Sequence, residues 1–211
     1  AGIQAPAVSD GVSLVSSLAG EGEQLQGIVY SEMRIGSKTP NFSEFQANRR
    51  GRSRGQMQSV LIGDYKGIRV NIESHQSVFE VYNTVNDPKE TTNLAGKSYV
   101  PTQQQFQAAV LRSRRIDPLA PRPYDDGLIP AVTEIDAQSG LIRTNYPGDF
   151  NWTPQFDQRK ATEQTVVDEL VAIPGAQQFV GFLRVPKSGV YHFALTANGK
   201  AVVRLHNALL I

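Results

Sequence analysis

Residues 56–96 read QMQSVLIGDYKGIRVNIESHQSVFEVYNTVNDPKETTNLAG, and this stretch decides the fold of the first part of the chain. It contains three short apolar runs, at 57–62, 66–71 and 78–83, which glycine, aspartate and asparagine separate. Runs of this length broken by turn residues are typical of strands joined by tight turns. Together with an earlier run at 27–32, they predict an antiparallel sheet of about four strands.

A helix is predicted directly after this sheet. The segment 102–105 has the spacing of a capping box, in which two side chains satisfy each other's backbone amides. Phe106, Ala109 and Val110 then recur at the spacing of one helical face. We therefore expect a helix over 102–115 that packs on the sheet, which makes this region α+β.

A proline-rich segment divides the chain. Residues 112–130 contain four prolines among charged residues, and proline removes a backbone donor and disfavours helix at the preceding position. We expect an extended linker here, with one domain over 1–130 and a second over 131–211. The second domain is predicted to be all β, because its apolar residues alternate along 179–195.

Short motifs along the first domain occur in a fixed order. They are GDYK at 63–66, IR at 68–69, YN at 82–83 and NDPKETTNL at 86–94, flanked by SDGVSL at 9–14, VYSE at 29–32 and PTQQQ at 101–105. In this order and spacing they resemble the C-terminal subdomain of sulfatases of the alkaline-phosphatase-like superfamily. The resemblance implies a small antiparallel sheet with a packed C-terminal helix. It also implies a bacterial enzyme, periplasmic or secreted, that acts on sulfated glycans.

The chemistry of that family lies in a larger N-terminal catalytic domain, which these residues do not include. It needs a cysteine or serine that becomes a hydrated aldehyde, with an arginine four positions later, and a calcium ion held by aspartates. Cysteine is absent, and Ser16 and Ser53 lack the arginine. We therefore predict no catalytic residue, no cofactor or metal in this chain, and no hydrolysis of an aryl sulfate by the chain alone. Calcium is expected only in the missing catalytic domain.

The second domain contains the pattern FVGFLRVPKSGVYHF at 179–193, with Phe150 and Trp152 upstream. This resembles the first half of a PA14-type β-sandwich, a module appended to bacterial glycan-active enzymes. The resemblance implies an antiparallel hairpin over 179–195 with six buried side chains: Phe179, Leu183, Val185, Tyr191, Phe193 and Leu195. The loop 196–200 lacks the paired aspartates with which lectin-type members hold calcium, so no calcium is expected there. Because this sandwich is partial, we expect the chain to be a fragment, cut at both ends.

An arginine-rich loop precedes the second predicted strand. Arg49, Arg50, Arg52 and Arg54 lie within six residues of one another, and guanidinium groups bind sulfate and carboxylate through paired donors. In sulfatases this subdomain borders the mouth of the active site, so the resemblance implies that these four residues contact the anionic part of a glycan. A flexible, solvated basic loop is the alternative.

Composition limits the partners. The net charge of +1 provides no global field that would attract nucleic acid, and no apolar run is long enough to span a bilayer. Three functional classes remain open. The chain is a non-catalytic part of a sulfatase, a stand-alone glycan-binding module, or an interaction protein that pairs with a separate catalytic chain. The first and third classes predict an apolar face on the sheet.

Overall fold

The computed structural model describes residues 5–132, 135–156 and 159–211. These residues form two compact units. The first, the helix–sheet unit, comprises Leu14–Ile129 and Arg204–Leu209. The second, the three-stranded unit, comprises the described residues up to Ser13, together with Pro130–Val203 and Leu210–Ile211.

The helix–sheet unit is built on a four-stranded antiparallel sheet in the order β1-β2-β3-β4. The strands are β1 (Val29–Lys38), β2 (Ser53–Ile62), β3 (Tyr65–Arg69) and β4 (Glu80–Asn83). The predicted antiparallel meander is therefore confirmed. Strands β1 and β2 are longer than predicted, and their pairing continues past an irregularity between Arg34 and Ser37.

Two α-helices belong to this unit, and a 3-10 helix spans Ala47–Arg49 in the loop between β1 and β2. The first, α1 (Val15–Ala19), is short, has no buried residue and was not predicted. The second, α2 (Gln103–Ser113), follows the predicted capping box: Thr102 accepts from the Gln105 amide, and the Gln105 side chain accepts from the Thr102 amide. Phe106, Ala109 and Val110 on α2 are buried, so the predicted apolar face of this helix is also confirmed.

The helix packs on the sheet at a glycine. The position of a side chain on Gly67 of β3 would be 2.6 Å from the ring of Phe106, so only glycine allows the ring to lie this close. Phe106 also lies 5.4 Å from Phe79, measured between ring centroids. The core is completed by further buried residues: Val60, Val81, Val100, Ala109 and Val110. We call this covered side of the sheet the inner face.

The three-stranded unit contains β5 (Leu141–Tyr146), β6 (Glu163–Val167) and β7 (Ala176–Val180). They form an antiparallel sheet in the order β6-β5-β7. Residues 5–13 also belong to this unit. They contact the segment between β5 and β6, where the Ala7 amide donates to the Thr153 carbonyl over 2.7 Å. A small antiparallel sheet is therefore present in the region where β structure was predicted.

The predicted hairpin over 179–195 is wrong in this structure. Strand β7 ends at Val180, and among the described residues no strand follows until Arg204. Five of the six side chains expected in a core are exposed, with Leu183 at 59%. An alternating pattern forms a stable strand pair only where a second layer buries one face. No described residue provides such a layer for this segment.

A short hairpin near the end of the chain belongs to the helix–sheet unit. Strands β8 (Arg204–Leu205) and β9 (Ala208–Leu209) are antiparallel. The two residues between them, His206 and Asn207, have φ values of 48° and 67°, as a type I′ turn requires. Strand β9 contacts α2, so the hairpin adds to the covering of that helix.

Candidate functional site

The predicted arginines lie in or beside the loop between β1 and β2, and two of them reach across the sheet to β4. The guanidinium of Arg49 is 5.3 Å from the ring centroid of Tyr82 and donates to the Glu90 carbonyl over 2.6 Å. Arg52 forms an ion pair with Glu80 at 2.6 Å. Because Glu80 and Tyr82 alternate with the inner-face residue Val81, this part of the loop covers the opposite side of the sheet. We call that side the outer face.

The other two arginines have no ion pair in the described part of the chain. Arg50 donates to the carbonyls of Phe45 and Ser43. Arg54 donates to the Ser37 hydroxyl and the Lys38 carbonyl at 3.3 Å each, while its Nε is buried without a partner. The four arginines are therefore not gathered into one clamp. The Glu80 carboxylate pairs with Arg52, and the Glu90 carboxylate lies 4.0 Å from Arg49 but is shared with Lys66. Arg50 and Arg54 have no carboxylate partner among the described residues.

Beside the loop, the outer face carries apolar side chains on both sides of the Ser31–Ser59 pair. In the register of the sheet, Val29 lies opposite Leu61, and Met33 lies opposite Met57. Val29 is 60% exposed and Met33 is 55% exposed. Ile68 of β3 lies on the same face, opposite Ser59. We call the set Val29, Met33, Met57, Leu61 and Ile68 the apolar patch.

A buried carboxylate organises the inner face beyond the end of α2. The side chain of Glu32 on β1 is 8% exposed and forms an ion pair with Arg122 at 2.6 Å. It also accepts hydrogen bonds from four further side chains: Tyr30, Gln56, Gln58 and Tyr124. A buried charge is stable only with such a set of partners. We call Glu32 and these five partners the Glu32 network.

The register of the sheet assembles this network. Glu32, Gln58 and Arg69 are direct neighbours across β1, β2 and β3. Arg69 donates from Nε to the side-chain Oε1 of Gln58 over 2.8 Å and from a terminal nitrogen to the backbone carbonyls of His75 and Ser77. The partners from outside the sheet come from the proline-rich linker, which the network fixes to the inner face.

The proton affinities in this network fit a structural role. Burial alone would raise the pKa of Glu32, but hydrogen bonds from Tyr124, Tyr30 and Arg122 hold the pKa below its ordinary value. Burial, reinforced by the hydrogen bond to Glu32, raises the pKa of both tyrosines. The carboxylate therefore stays charged and the phenols stay protonated near neutral pH, so none of these groups is poised to exchange a proton.

His75 lies at the border of the network. Its ring is 5.3 Å from the ring of Tyr124. Burial, together with the positive charges of Arg114 and Arg69, lowers the pKa of His75. The imidazole is therefore neutral at pH 7, and it adds no charge to this part of the inner face.

The NDPKETTNL motif forms a turn that is held by its own side chains. Asp87 accepts from the amides of Thr91 and Thr92 over 2.7 and 2.8 Å, and these bonds lower the pKa of its carboxyl. Glu90 pairs with Lys66 at 2.7 Å. Asn93 accepts from the amide of Val81 over 2.9 Å. The polar residues of the motif thus hold the turn and the end of β4, so the contacts of Asp87 and Glu90 are structural.

The three-stranded unit contains an open groove of about 510 Å³. Thr144, Gln164 and Gln178 line it, together with the apolar residues Ile142 and Val180. The lining is mostly uncharged.

Among the described residues of the whole chain, no group of three or more His, Cys, Asp or Glu could hold a metal ion. No helix among those residues is long and apolar enough to cross a membrane.

Comparison with known proteins leaves the family open. No protein-family model matches the chain, and no curated protein matches it at a significant level. A functional assignment therefore depends on the motifs and on the geometry of the described residues.

Sequence reasoning missed the Glu32 network. Glu32 was recognised only as part of the VYSE motif, and Arg122 and Tyr124 only as part of a linker. The available signal was position: Glu32 occupies an inward position on a strand, two residues from Tyr30, where an apolar residue is expected. A charged residue at such a position indicates a buried partner elsewhere in the chain.

Proposed function

We propose that this chain is the non-catalytic C-terminal portion of a sulfatase-like sulfuric ester hydrolase that acts on sulfated glycans in the bacterial periplasm or outside the cell. The ordered motifs of residues 9–105 support this proposal. So does the four-stranded antiparallel sheet with a capped helix packed on it, which is the architecture that the resemblance implies. In this proposal the three-stranded unit belongs to a PA14-like accessory module.

The apolar patch carries the proposal. Exposed apolar surface of this kind, bordered by charged side chains, is typical of docking surfaces. Val29 and Met33 lie on the same face of the edge strand β1, on either side of Ser31, and are paired with Leu61 and Met57 of β2. We infer that this patch packs against the catalytic domain, which supplies the nucleophile and the calcium ion.

The arginine loop then lies at the margin of the docked surface. Arg49 and Arg52 hold the loop on the outer face through Tyr82, Glu90 and Glu80. Arg50 and Arg54 retain a net positive charge and are the better candidates for contact with the sulfate or carboxylate groups of a glycan. The predicted set of four arginines is thereby divided into two anchors and two substrate contacts.

Docking can be tested by mixing the chain with the separately expressed catalytic domain of a sulfatase of this superfamily, in the presence of calcium. Sedimentation analysis should detect a complex that Val29→Lys and Met33→Lys each weaken by about tenfold or more, since lysine cannot be buried unpaired. Val85→Lys is the matched control, because Val85 is exposed in the turn after β4. Equal binding by all variants, or no complex with wild type, would overturn the proposal.

The groove supports a second candidate function, that of a glycan-binding module. Its amide and hydroxyl groups, on Thr144, Gln164 and Gln178, suit an uncharged polyhydroxylated ligand, which needs many hydrogen bonds and no compensating charge. Calorimetry with the whole chain would distinguish the two functions. Binding of a neutral oligosaccharide that Gln178→Ala abolishes would favour the binding module, while the absence of any heat of binding would remove this candidate.

A further inference from the structure

The loop between β1 and β2 presents two aromatic rings to solvent. Phe42 is 61% exposed and Phe45 is 39% exposed. Their rings are stacked, with centroids 6.0 Å apart and an angle of 22° between the planes. Single apolar residues on a surface need no explanation, but two stacked rings form a continuous apolar surface, and such surfaces mark binding sites. We call Phe42 and Phe45 the phenylalanine pair.

The backbone of the loop holds the two rings in place. The Phe45 amide donates to the Phe42 carbonyl over 3.2 Å, which is the hydrogen bond between the first and fourth residues of a β-turn. Thr39 closes the base of the loop: its amide donates to the Arg52 carbonyl over 2.8 Å, and its carbonyl accepts from the Gly51 amide over 3.0 Å. The phenylalanine pair is therefore preorganised, which lowers the entropic cost of binding a ligand.

Arg50 fastens this turn and still has donors to offer. Its Nε donates to the Phe45 carbonyl over 2.7 Å, and its Nη2 donates to the Ser43 carbonyl. A guanidinium has five N–H donors, so three remain without a partner in the described part of the chain. They lie at the end of the guanidinium, and two of them can bind an oxyanion through parallel hydrogen bonds. Because Arg50 is exposed, an anion can reach this end.

The charge of the loop favours an anion at this point. Residues 39–54 contain four arginines and a single carboxylate, that of Glu44. Arg50 has no carboxylate partner among the described residues, and Glu44, in the turn itself, has no ion pair there. Glu44 opposes an anion only weakly, since charges exposed to solvent are screened. The loop thus combines an apolar surface with an available cation.

We propose that the phenylalanine pair and Arg50 together bind one sulfated sugar ring of a glycan. The C–H groups of a sugar ring are slightly positive and pack on the negative face of an aromatic ring, while the sulfate accepts from the end of the Arg50 guanidinium. A ligand that is apolar on one face and anionic at its edge is complementary to this surface. The site rests on the function proposed above and deepens it, because it assigns the contacts of the sugar ring as well as those of its sulfate.

The test is a calorimetric titration of the whole chain, at constant ionic strength, with sulfated hexasaccharides from heparin, chondroitin sulfate and κ-carrageenan. At least one of them should bind saturably, and more tightly than inorganic sulfate, which gains nothing from the rings. Phe42→Ala should weaken this binding by about fivefold, since it removes one of the two stacking rings. Phe182→Ala is the matched control, because Phe182 is an exposed phenylalanine of the three-stranded unit, and it should leave the affinity unchanged.

The contribution of the charge is tested separately. Arg50→Gln should weaken binding of the sulfated hexasaccharide by about tenfold, because it removes a charged donor. Arg34→Gln removes the same charge from an exposed position on β1 and should leave the affinity nearly unchanged. Glu44→Gln should act in the opposite direction and strengthen binding by about twofold. The desulfated form of the same hexasaccharide should bind at least about tenfold more weakly than the sulfated form.

Failure of this site and failure of the docking proposal give different results. The complex with the catalytic domain is therefore measured with Phe42→Ala as well. Weaker docking with intact sugar binding would place the rings in the docking surface and exclude the sugar site, while the proposed function would stand. No docking by wild type, together with sugar binding that Phe42→Ala weakens, would do the reverse. The sugar site is also excluded if none of the sulfated hexasaccharides binds, or if Phe42→Ala and Phe182→Ala behave alike.

Discussion

The two sheets of this molecule are paired in the same way but covered differently. The inner face of the four-stranded sheet is closed by α2 and by the linker, and its central residue Val60 is fully buried. On the groove face of the three-stranded sheet, by contrast, the cross-strand row Val166, Ile142 and Val180 is exposed. Regular antiparallel pairing is therefore no measure of a sheet's contribution to stability. The second layer supplies that contribution, because it buries apolar area.

The largest expected effect is a loss of unfolding free energy on replacing a buried phenylalanine of the helix–sheet unit. The comparison is the same replacement at an exposed phenylalanine of the three-stranded unit. Phe106→Ala should lower the free energy of unfolding of the helix–sheet unit by about 3–5 kcal/mol, because the ring is fully buried against Gly67 and Phe79. Phe193→Ala, at an exposed position, should change the free energy of unfolding by no more than about 0.5 kcal/mol. Urea denaturation measures both. Similar losses for the two variants would show that the 181–203 segment has a covering of its own.

The Glu32 network gives the next largest effect. Glu32→Ala leaves Arg122 without its carboxylate partner and the phenols of Tyr30 and Tyr124 without an acceptor. We expect a loss of about 3 kcal/mol in the unfolding free energy, as is typical when one partner of a buried ion pair is removed. Glu23→Ala, at an exposed position, is the control and should cost nothing measurable. A small loss for Glu32→Ala would mean that water replaces the carboxylate.

The same carboxylate makes the helix–sheet unit sensitive to acid. The folded pKa of Glu32 is lower than its ordinary value, which is about 4.3 in an unfolded chain. Its contribution is therefore complete above the unfolded pKa and is lost as the pH falls through the folded pKa. Thermal melts between pH 7 and pH 3 should show a steeper decline for wild type than for Glu32→Gln. Parallel curves would assign the acid sensitivity to other groups.

The capping box of α2 should contribute less. Thr102→Ala removes the acceptor for the Gln105 amide, and we expect a loss of about 1 kcal/mol in the unfolding free energy. Thr102→Ser keeps the hydroxyl and should restore most of this loss. Both variants can be measured by urea denaturation followed by circular dichroism. No difference between alanine and serine would mean that water caps the helix equally well.

The smallest expected effect is that of calcium on the three-stranded unit. The loop 196–200 reads TANGK and has no carboxylate, and calcium prefers carboxylate and carbonyl oxygens as ligands. Addition of millimolar calcium should leave the melting temperature of the whole chain unchanged, with magnesium as the control. A rise with calcium alone would reveal a site that the sequence does not suggest.

Sequence reasoning was most successful where the signals are local. The strands of the four-stranded sheet and the capping box depend on residues a few positions apart, and turns such as the one at Gly63, with φ of 57°, determine the register of neighbouring strands. The Glu32 network depends on contacts between residues about 90 positions apart, which no periodicity reports. The hairpin over 179–195 failed for the opposite reason: its local pattern is strong, but no described layer covers it.

The docking of β9 on α2 has a consequence for how the protein is made. About 90 residues separate the end of α2 at Ser113 from the start of β8 at Arg204. A ribosome adds roughly 5–20 residues per second, so the helix is synthesised several seconds before the hairpin that contacts it. During that interval the side of α2 that β9 later contacts is open to chaperones and proteases. The β8–β9 hairpin thus completes a unit whose other strands and helices are synthesised well before it.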